Sequence, residues 1–219
     1  MKTDSKEILD LLGREYPDAE CALVHKNVFE LIVCVVLSAQ TTDVSVNKVS
    51  PKLFAKYPDA ESLAGAKAED ITEIIKTIGM YKTKSRSVVN LAKALCENYG
   101  GNVPDSYDEL VKLPGVGRKT ANVVLAVGFG QQRIAVDTHV FRVARRIGLA
   151  SCEGGFSAKS AGQNAVLDTE RQLMEILPGD RWSEAHHSLI FHGRNCCTAR
   201  NPKCDKCPIE KMCEKNGIH

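Results

Sequence analysis

A short glycine-rich segment between two predicted helices has the properties of an anion-binding turn. In the run Leu113-Pro114-Gly115-Val116-Gly117, Pro114 stops the first helix, and the two glycines permit a tight turn and a close approach of the backbone to a ligand. The second helix begins at once, so its first N–H groups suit a phosphate. An ordinary helix–turn–helix connection could have the same sequence, so the residues that follow must decide.

A lysine directly after this turn is a candidate nucleophile. Arg118, Lys119 and Thr120 fall in the first turn of the second helix, where the partial positive charge of the helix N-terminus disfavours a cation. That field, the neighbouring Arg118 and partial burial would each favour the neutral amine, which attacks carbonyl-type carbons. The alternative is a solvated surface lysine that binds a phosphate.

A second candidate for chemistry is Asp137, within Val136-Asp137-Thr138-His139. Capping of the helix that begins near Thr138 would alone explain an aspartate at this position. A carboxylate fixed by a helix terminus is also rigid, so it could accept a proton from a nearby amine or orient that amine. The sequence leaves both roles open.

Four cysteines near the C-terminus have the spacing of a metal centre. Cys197, Cys204, Cys207 and Cys213 are separated by six, two and five residues, so four thiolates can surround one compact centre. A zinc ribbon has two C-x2-C pairs with a long spacer, whereas this segment has one pair flanked by single cysteines, which favours an iron–sulfur cluster. Cys196 is interpreted as a bystander. Two basic residues of the loop could touch a phosphate, namely Arg200 and Lys203.

Composition indicates a soluble globular protein. The 219 residues suffice for one large domain or two small ones, and the net charge of +2 is too small to indicate nucleic-acid binding by itself. The N-terminus lacks an apolar signal segment, and the apolar stretch 28–39 is too short to span a bilayer. We therefore expect an intracellular protein, cytoplasmic in a prokaryote, whose nine cysteines indicate metal binding rather than disulfides.

Apolar residues repeat at helical spacing along the chain, which predicts an all-α fold. The stretch 28–39 is rich in β-branched residues and could be a strand by propensity, but its length and a possible cap at Asn27 favour a buried helix. The segment 151–163 is rich in Gly, Ser and Ala and is interpreted as a loop. Helices are predicted at 6–15, 28–39, 43–56, 71–78, 88–95, 107–112, 119–127, 140–147, 169–177 and 183–191.

Together these motifs resemble the endonuclease III family of helix-hairpin-helix DNA glycosylases. The matching segments are 113–122 (LPGVGRKTAN), 135–142 (AVDTHVFR), 37–46 (LSAQTTDVSV) and 76–81 (KTIGMY), with the cysteine spacing. The resemblance extends from about Glu7 to Cys213. The combination of motifs in this order is far more specific than any one of them.

The resemblance implies two helical domains that flank a DNA-binding cleft. A six-helix domain at 21–130 would hold the helix-hairpin-helix at 107–127. Residues 1–20 together with 131–219 would form the second domain, whose loop 197–213 would hold a 4Fe–4S cluster on the four cysteines.

The resemblance also implies a base-excision repair enzyme that removes oxidised pyrimidines from duplex DNA and cleaves the abasic site by β-elimination through a lysine Schiff base. Lys119 would be the nucleophile and Asp137 its carboxylate partner. Gln40 and Met80 would fill the gap left by the flipped nucleotide, with core packing as the alternative for Met80. The other expected DNA contacts are Gly115, Val116, Gly117, Arg118, His139, Arg200 and Lys203.

Several expectations about partners accompany this resemblance. Catalysis should need no divalent metal, because the nucleophile is an amine and no carboxylate cluster suits Mg²⁺. The partner would be double-stranded DNA with damaged pyrimidines or abasic sites, and a monomer without membrane contact would suffice. A prokaryotic chain would associate with the nucleoid through DNA.

The sequence departs from the family pattern in two places. Met80 stands where leucine is expected, and the segment 151–163 is longer than the family form.

Two other functions compete with this one. A sister branch that removes undamaged adenine has serine at the Lys119 position and a glutamate before the Gln40 position, but 31–40 contains no carboxylate. A non-catalytic DNA-binding module would keep the hairpin and the cluster, yet the presence of both Lys119 and Asp137 argues against it.

Overall fold

The structure, a computed structural model, describes residues 4–218, and within that range it contains helices and no β-strand. The predicted all-α class is therefore confirmed. Residues 1–3 and 219, the ends of the predicted second domain, lie outside the described residues. The α-helices, α1 to α11 in chain order, are Ser5–Glu15, Val28–Leu37, Asp43–Lys56, Ala60–Ala64, Ala68–Ile75, Tyr81–Tyr99, Tyr107–Leu110, Arg118–Phe129, Thr138–Ile147, Ala158–Ile176 and Trp182–Asn195. Short 3₁₀ turns occur at Gly179–Arg181, Cys204–Lys206 and Glu210–Met212.

The chain divides into two compact units. Cys21–Gln131 forms one, here called the hairpin unit, and Met1–Glu20 with Gln132–His219 forms the other, here called the cysteine unit. The predicted boundary after residue 130 lies one residue before this division. Each unit has its own buried apolar core, so each is described by itself.

Helix α2 lies at the centre of the hairpin unit and packs against α3, α6 and α8. Its residues from Leu31 to Leu37 are all buried, which explains why the helix is apolar all round. The Asn27 side chain accepts a hydrogen bond from the Glu30 N–H at 2.9 Å, so the predicted cap is confirmed and the strand alternative is wrong.

The hairpin unit has seven helices among the described residues, rather than the six expected. The additional one is α4, which has five residues and too little sequence to show a periodic apolar face. It forms because Asp59 and Ser62 make a reciprocal capping box: the Asp59 carboxylate accepts from the Ser62 N–H at 2.8 Å.

The cysteine unit is built around α9, which packs against α10 and α11, while α1 packs on α11. The segment 151–163 is only partly a loop, so the interpretation was wrong for its second half. Helix α10 begins at Ala158, because Ser157 caps it, and the chain bends at Gly162, whose backbone is non-helical with φ 83°. Buried Arg145 holds the remaining loop through hydrogen bonds to the carbonyls of Glu153 and Gly155 at 2.6 and 2.9 Å.

Within residues 4–218, none of the helices combines the length and the apolar character that a membrane span requires.

Candidate functional site

The glycine turn connects α7 to α8 in the hairpin unit, where the sequence placed it. Gly115 has φ 79°, a conformation that side chains other than glycine rarely adopt. The Leu113 carbonyl accepts a hydrogen bond from the Val116 N–H at 3.1 Å, which closes the turn. The Val116 side chain is buried, so this residue anchors the turn. Its N–H is used by the turn and its side chain by the core. Neither group can therefore make the DNA contact expected of Val116 while the turn is intact.

Gly117 has a different reason to be glycine. It is the N-cap of α8 with φ −96°, a value open to any residue, and a Cβ built on it would meet no atom of the chain within 4 Å. The space before the N-terminus of α8 is therefore open at this point. Helix geometry leaves the first N–H groups of α8 without acceptors inside the helix, and an anion is the ligand that such a terminus favours.

Lys119 is the second residue of α8 and is exposed. The partial burial expected from the sequence was wrong, because the first turn of α8 projects from the core of the unit. Its neighbour Arg118 donates a hydrogen bond to the Tyr107 hydroxyl at 3.2 Å and lies over that ring, which joins the start of α8 to the start of α7. The residue directly before Lys119 is thereby anchored to α7.

Gln40 and Met80, the two residues expected to fill a gap in DNA, lie on neighbouring segments of the hairpin unit. Both are exposed, and both have left-handed backbones, with φ 54° and 57°. Met80 is 54% exposed, so the core-packing alternative is wrong. A Cβ built on Gly79 would lie 3.7 Å from the Thr41 Oγ1 and 3.9 Å from the Gln40 carbonyl oxygen, which places the two segments side by side.

Asp137 belongs to the cysteine unit and caps α9, as predicted. Its Oδ1 accepts hydrogen bonds from the N–H groups of His139 and Val140, both at 2.8 Å. The carboxylate is thereby held in one orientation. His139 is half-buried, and burial lowers its pKa.

Buried Arg142 connects the start of α9 to residues 197–213, here called the cysteine loop. Its guanidinium donates to the Thr138 carbonyl at 3.3 Å, to the Gly193 carbonyl at 2.9 Å and to the Cys197 carbonyl at 3.1 and 3.2 Å. An arginine inside a helix is usually a surface residue, so this role could not be predicted from the sequence. One side chain therefore links the helix that Asp137 caps to the first of the four cysteines.

The four predicted ligands line one small cavity in the cysteine unit, together with the apolar side chains of Ile147 and Ile218. Burial raises the pKa of the Cys207 thiol to about 12 and also raises that of Cys213. Without metal these thiols are neutral, so a metal centre must displace their protons. Arg146 donates to the Cys197 Sγ at 3.7 Å, which suits a thiolate that carries negative charge. A common cavity, four sulfur donors and a nearby cation fit an iron–sulfur cluster.

Two further residues line this cavity that sequence reasoning did not select. Cys196, interpreted as a bystander, is buried there with His192, and its thiol donates to the Lys203 carbonyl at 3.4 Å. Among residues 4–218, one group of three metal-binding side chains has all its ligand atoms within 4.8 Å of one another, and it consists of His192, Cys196 and Cys207. The four predicted ligands form no such close set, whereas sulfurs on one tetrahedral zinc lie about 3.8 Å apart.

The basic tip of the cysteine loop is where the sequence placed it. Arg200 and Lys203 are both exposed. The Lys203 N–H donates to the Cys196 carbonyl at 3.0 Å, so the backbone on which this lysine stands is closed into a loop.

Comparison with known families gives two matches. Residues 33–155 match the family described as HhH-GPD superfamily base excision DNA repair protein. Residues 197–213, which span the four predicted ligands, match the iron-sulfur binding domain of endonuclease III. The cysteine spacing is therefore that of an iron–sulfur segment, and the prediction of such a centre is confirmed.

Relatives of known name match over nearly the whole chain. Endonuclease III of Bacillus subtilis (strain 168) is 47% identical over 94% of this chain and 90% of its own length. Endonuclease III of Escherichia coli (strain K12) is 41% identical over 97% of this chain and 96% of its own.

Solved structures agree with these matches. A trapped endonuclease III–DNA covalent intermediate superposes with a TM-score of 0.88 at 44% identity, covering 98% of this chain and 96% of that one. A thermostable thymine-DNA glycosylase shares the fold, with a TM-score of 0.83 at 24% identity, covering 96% of this chain and 95% of that one.

Proposed function

Because the chain belongs to the endonuclease III family of base excision DNA repair proteins, we propose that it removes oxidised pyrimidines from duplex DNA and cleaves the resulting abasic site by β-elimination. The observation that carries this proposal is the position of Lys119. It is an exposed lysine in the first turn of α8, directly behind a glycine turn with open space before it.

Lys119 acts as the nucleophile in this proposal. The lone pair of its Nζ attacks the sugar C1′, and the base leaves with the electrons of the glycosidic bond and takes up a proton. Nζ then loses one proton, and as the sugar ring opens the ring oxygen leaves C1′ with its bonding electrons and takes up a proton, which gives a protonated Schiff base between Nζ and C1′. That cation acidifies the C2′ hydrogen, and loss of this proton forms a C2′–C3′ double bond as the 3′ phosphate leaves with its bonding electrons. Strand cleavage is therefore elimination rather than hydrolysis.

Asp137 is the carboxylate partner of this chemistry. Two backbone N–H groups fix one of its oxygens, so the side chain needs no reorganisation during the reaction. In that orientation the carboxylate accepts a proton or stabilises positive charge as it develops at the sugar. The cap and the catalytic role are compatible, since the cap supplies the rigidity.

The placement of the remaining residues supports the proposed DNA contacts. The open N-terminus of α8 at Gly115, Gly117 and Arg118 holds a phosphate. Gln40 and Met80 fill the gap left by the flipped nucleotide, and His139, Arg200 and Lys203 contact the duplex from the cysteine unit. The expected partner is double-stranded DNA with damaged pyrimidines or abasic sites, bound by a monomer in the cytoplasm at the nucleoid.

The two hairpin glycines give a prediction that separates fold from binding. Gly117→Ala should change the free energy of unfolding by less than about 1 kcal/mol, because its φ suits any residue and its Cβ meets no atom of the chain. It should weaken DNA binding about tenfold, because the methyl group occupies the space of the phosphate. Gly115→Ala should cost about 1–2 kcal/mol instead, because its φ is positive.

Thermal unfolding and fluorescence anisotropy on a duplex with an uncleavable abasic analogue measure the two effects. A Gly117→Ala protein with unchanged affinity for this duplex would rule out a phosphate at this helix terminus.

We also propose that Cys197, Cys204, Cys207 and Cys213 hold a cluster of the 4Fe–4S type. Held by these four residues, a cluster would tie the C-terminal segment to the end of α11 and would give a fixed scaffold to the loop that carries Arg200 and Lys203. Arg142 and Arg146, which hold the backbone of this segment, place their positive charge beside it.

Cys204→Ser should lose the cluster, whereas Cys196→Ser should keep it. Serine is a poor ligand for iron, and Cys196 is outside the ligand set in this proposal. Iron and acid-labile sulfide per chain, together with the yellow-brown absorption of the purified protein, measure the difference. Stoichiometric zinc without iron in the unmodified protein, or equal loss of iron from both variants, would contradict the assignment.

Sodium borohydride trapping tests the proposed function directly. The chain is mixed with a duplex that carries one oxidised pyrimidine, in EDTA, and borohydride is added during the reaction. Hydride reduces an imine to a stable amine, so a covalent protein–DNA adduct is expected, and EDTA should leave it unchanged because no divalent metal takes part. A nicked product without adduct would exclude the Schiff base, and a non-catalytic DNA-binding module would give neither.

A further inference from the structure

A buried lysine lies beneath the two exposed residues that are proposed to enter DNA. Lys84 is in the first turn of α6, which begins directly after Met80, and its side chain is only 4% exposed. Its Nζ donates a hydrogen bond to the Thr41 Oγ1, on the segment that begins with Gln40. Its N–H donates to the Met80 carbonyl at 3.0 Å. Lys84 therefore contacts both segments at once.

This arrangement is unfavourable for the stability of the fold. A buried ammonium with a hydroxyl as its hydrogen-bond partner loses more hydration than it regains, and among residues 4–218 no ion pair involves Lys84. Burial accordingly lowers the pKa of its side chain. A cation in the first turn of a helix also opposes the helix dipole.

Two more unfavourable features occur at the same place. Among residues 4–218, three residues other than glycine have a positive φ, and Gln40 and Met80 are two of them. Left-handed backbone at such residues persists only when the surroundings hold it, and it concentrates at functional sites. A buried lysine and two left-handed backbones thus occur in one small region, and each of them lowers the stability of the fold. This indicates that function rather than stability selects these residues.

We propose that Lys84 is a positioning residue that ties the Gln40–Thr41 segment to the start of α6, so that Gln40 and Met80 are presented to DNA as one rigid pair. This inference rests on the proposed function. Extruding a base from an intact pair requires unpairing and unstacking, and a preorganised pair of wedge residues offsets that requirement. An abasic site has no base to extrude, so its cleavage depends less on this pair.

Lys84→Met tests this idea, because methionine matches much of the length of lysine without its charge. The variant should fold with an unchanged or higher Tm, since apolar groups replace buried charges without loss of stability. Single-turnover base release from an oxidised pyrimidine should fall about tenfold, while cleavage of a preformed abasic site should stay within about twofold of wild type. A residue with only a structural role would not change the ratio of the two rates.

Two further variants complete the design. Thr41→Val removes only the hydroxyl acceptor and should give the same selective loss, and the double variant should lose no more than either single one, because both act through one contact. Lys93→Met removes an exposed lysine farther along α6 and should leave both rates unchanged. Replacing the base 3′ to the lesion with 2-aminopurine makes unstacking measurable by fluorescence. This fluorescence signal should be weaker with Lys84→Met than with the wild-type protein.

The outcomes separate this inference from the function on which it rests. Failure of the proposed function appears as wild-type protein that forms no borohydride adduct. Wild-type protein that reacts, with a Lys84→Met variant of unchanged rate ratio, overturns the positioning role. Equal loss on both substrates with a lower Tm overturns it as well, because that pattern belongs to a purely structural residue.

Discussion

Lys119→Gln should abolish both base release and borohydride trapping while leaving the fold intact. Glutamine has no amine, so it cannot attack C1′ or form an imine, and we expect the single-turnover rate to fall about 10⁴-fold or more. Lys119 is exposed, and a cation near a helix N-terminus is unfavourable, so the free energy of unfolding should change by less than about 0.5 kcal/mol. Base release under single-turnover conditions, adduct formation and Tm measure these effects.

The same variant should still bind lesion DNA, because the hairpin glycines and the N-terminus of α8 are unchanged. Lys93→Gln, which removes another exposed lysine of the hairpin unit, is the matched control and should keep the wild-type rate. A trappable Lys119→Gln protein would remove Lys119 from the mechanism. A variant that lost binding along with the reaction would mean that Lys119 is chiefly a phosphate ligand.

Asp137→Asn should slow base release by about 10²-fold or more while the protein stays folded. Asparagine caps a helix as well as aspartate does, so the hydrogen bonds to the His139 and Val140 N–H groups can persist, and stability should change by less than about 1 kcal/mol. The variant lacks the negative charge that assists proton transfer or steadies positive charge at the sugar. Single-turnover rates and Tm again measure the two effects.

Asp59→Asn provides the matched control for this experiment. Asp59 caps α4 in the same way, through a hydrogen bond from the Ser62 N–H at 2.8 Å, but it has no proposed part in the chemistry. Its replacement should change Tm by a similar amount without changing the rate. If Asp137→Asn kept full activity, Asp137 would be a helix cap and nothing more.

The helical class and most helix positions could be predicted from the sequence, because they depend on apolar periods and caps that lie within a few residues. Asn27 and Asp137 cap the helices that follow them, as the sequence indicated. It also identified the glycine turn and the four cysteines, whose chemistry is readable from residue type and spacing alone. Short α4 was missed, because five residues cannot display an apolar period.

The tertiary structure was needed to show which side chains are buried and which residues distant in sequence meet. It placed Lys119 and Met80 in solvent, where the sequence had suggested partial burial for one and possible core packing for the other. It brought Cys196 into the cysteine cavity. These outcomes depend on which faces other helices cover, and no local pattern encodes that.

Lys84 and Arg142 show the same limit most clearly. In the sequence each is one basic residue in a helix, and the ordinary expectation is a solvated side chain. The fold buries both and directs them to partners 43 and 55 residues away, at Thr41 and Cys197. A charged side chain can hold other segments in position only when packing buries it. Burial leaves the charge few hydrogen-bond partners and makes each remaining hydrogen bond strong.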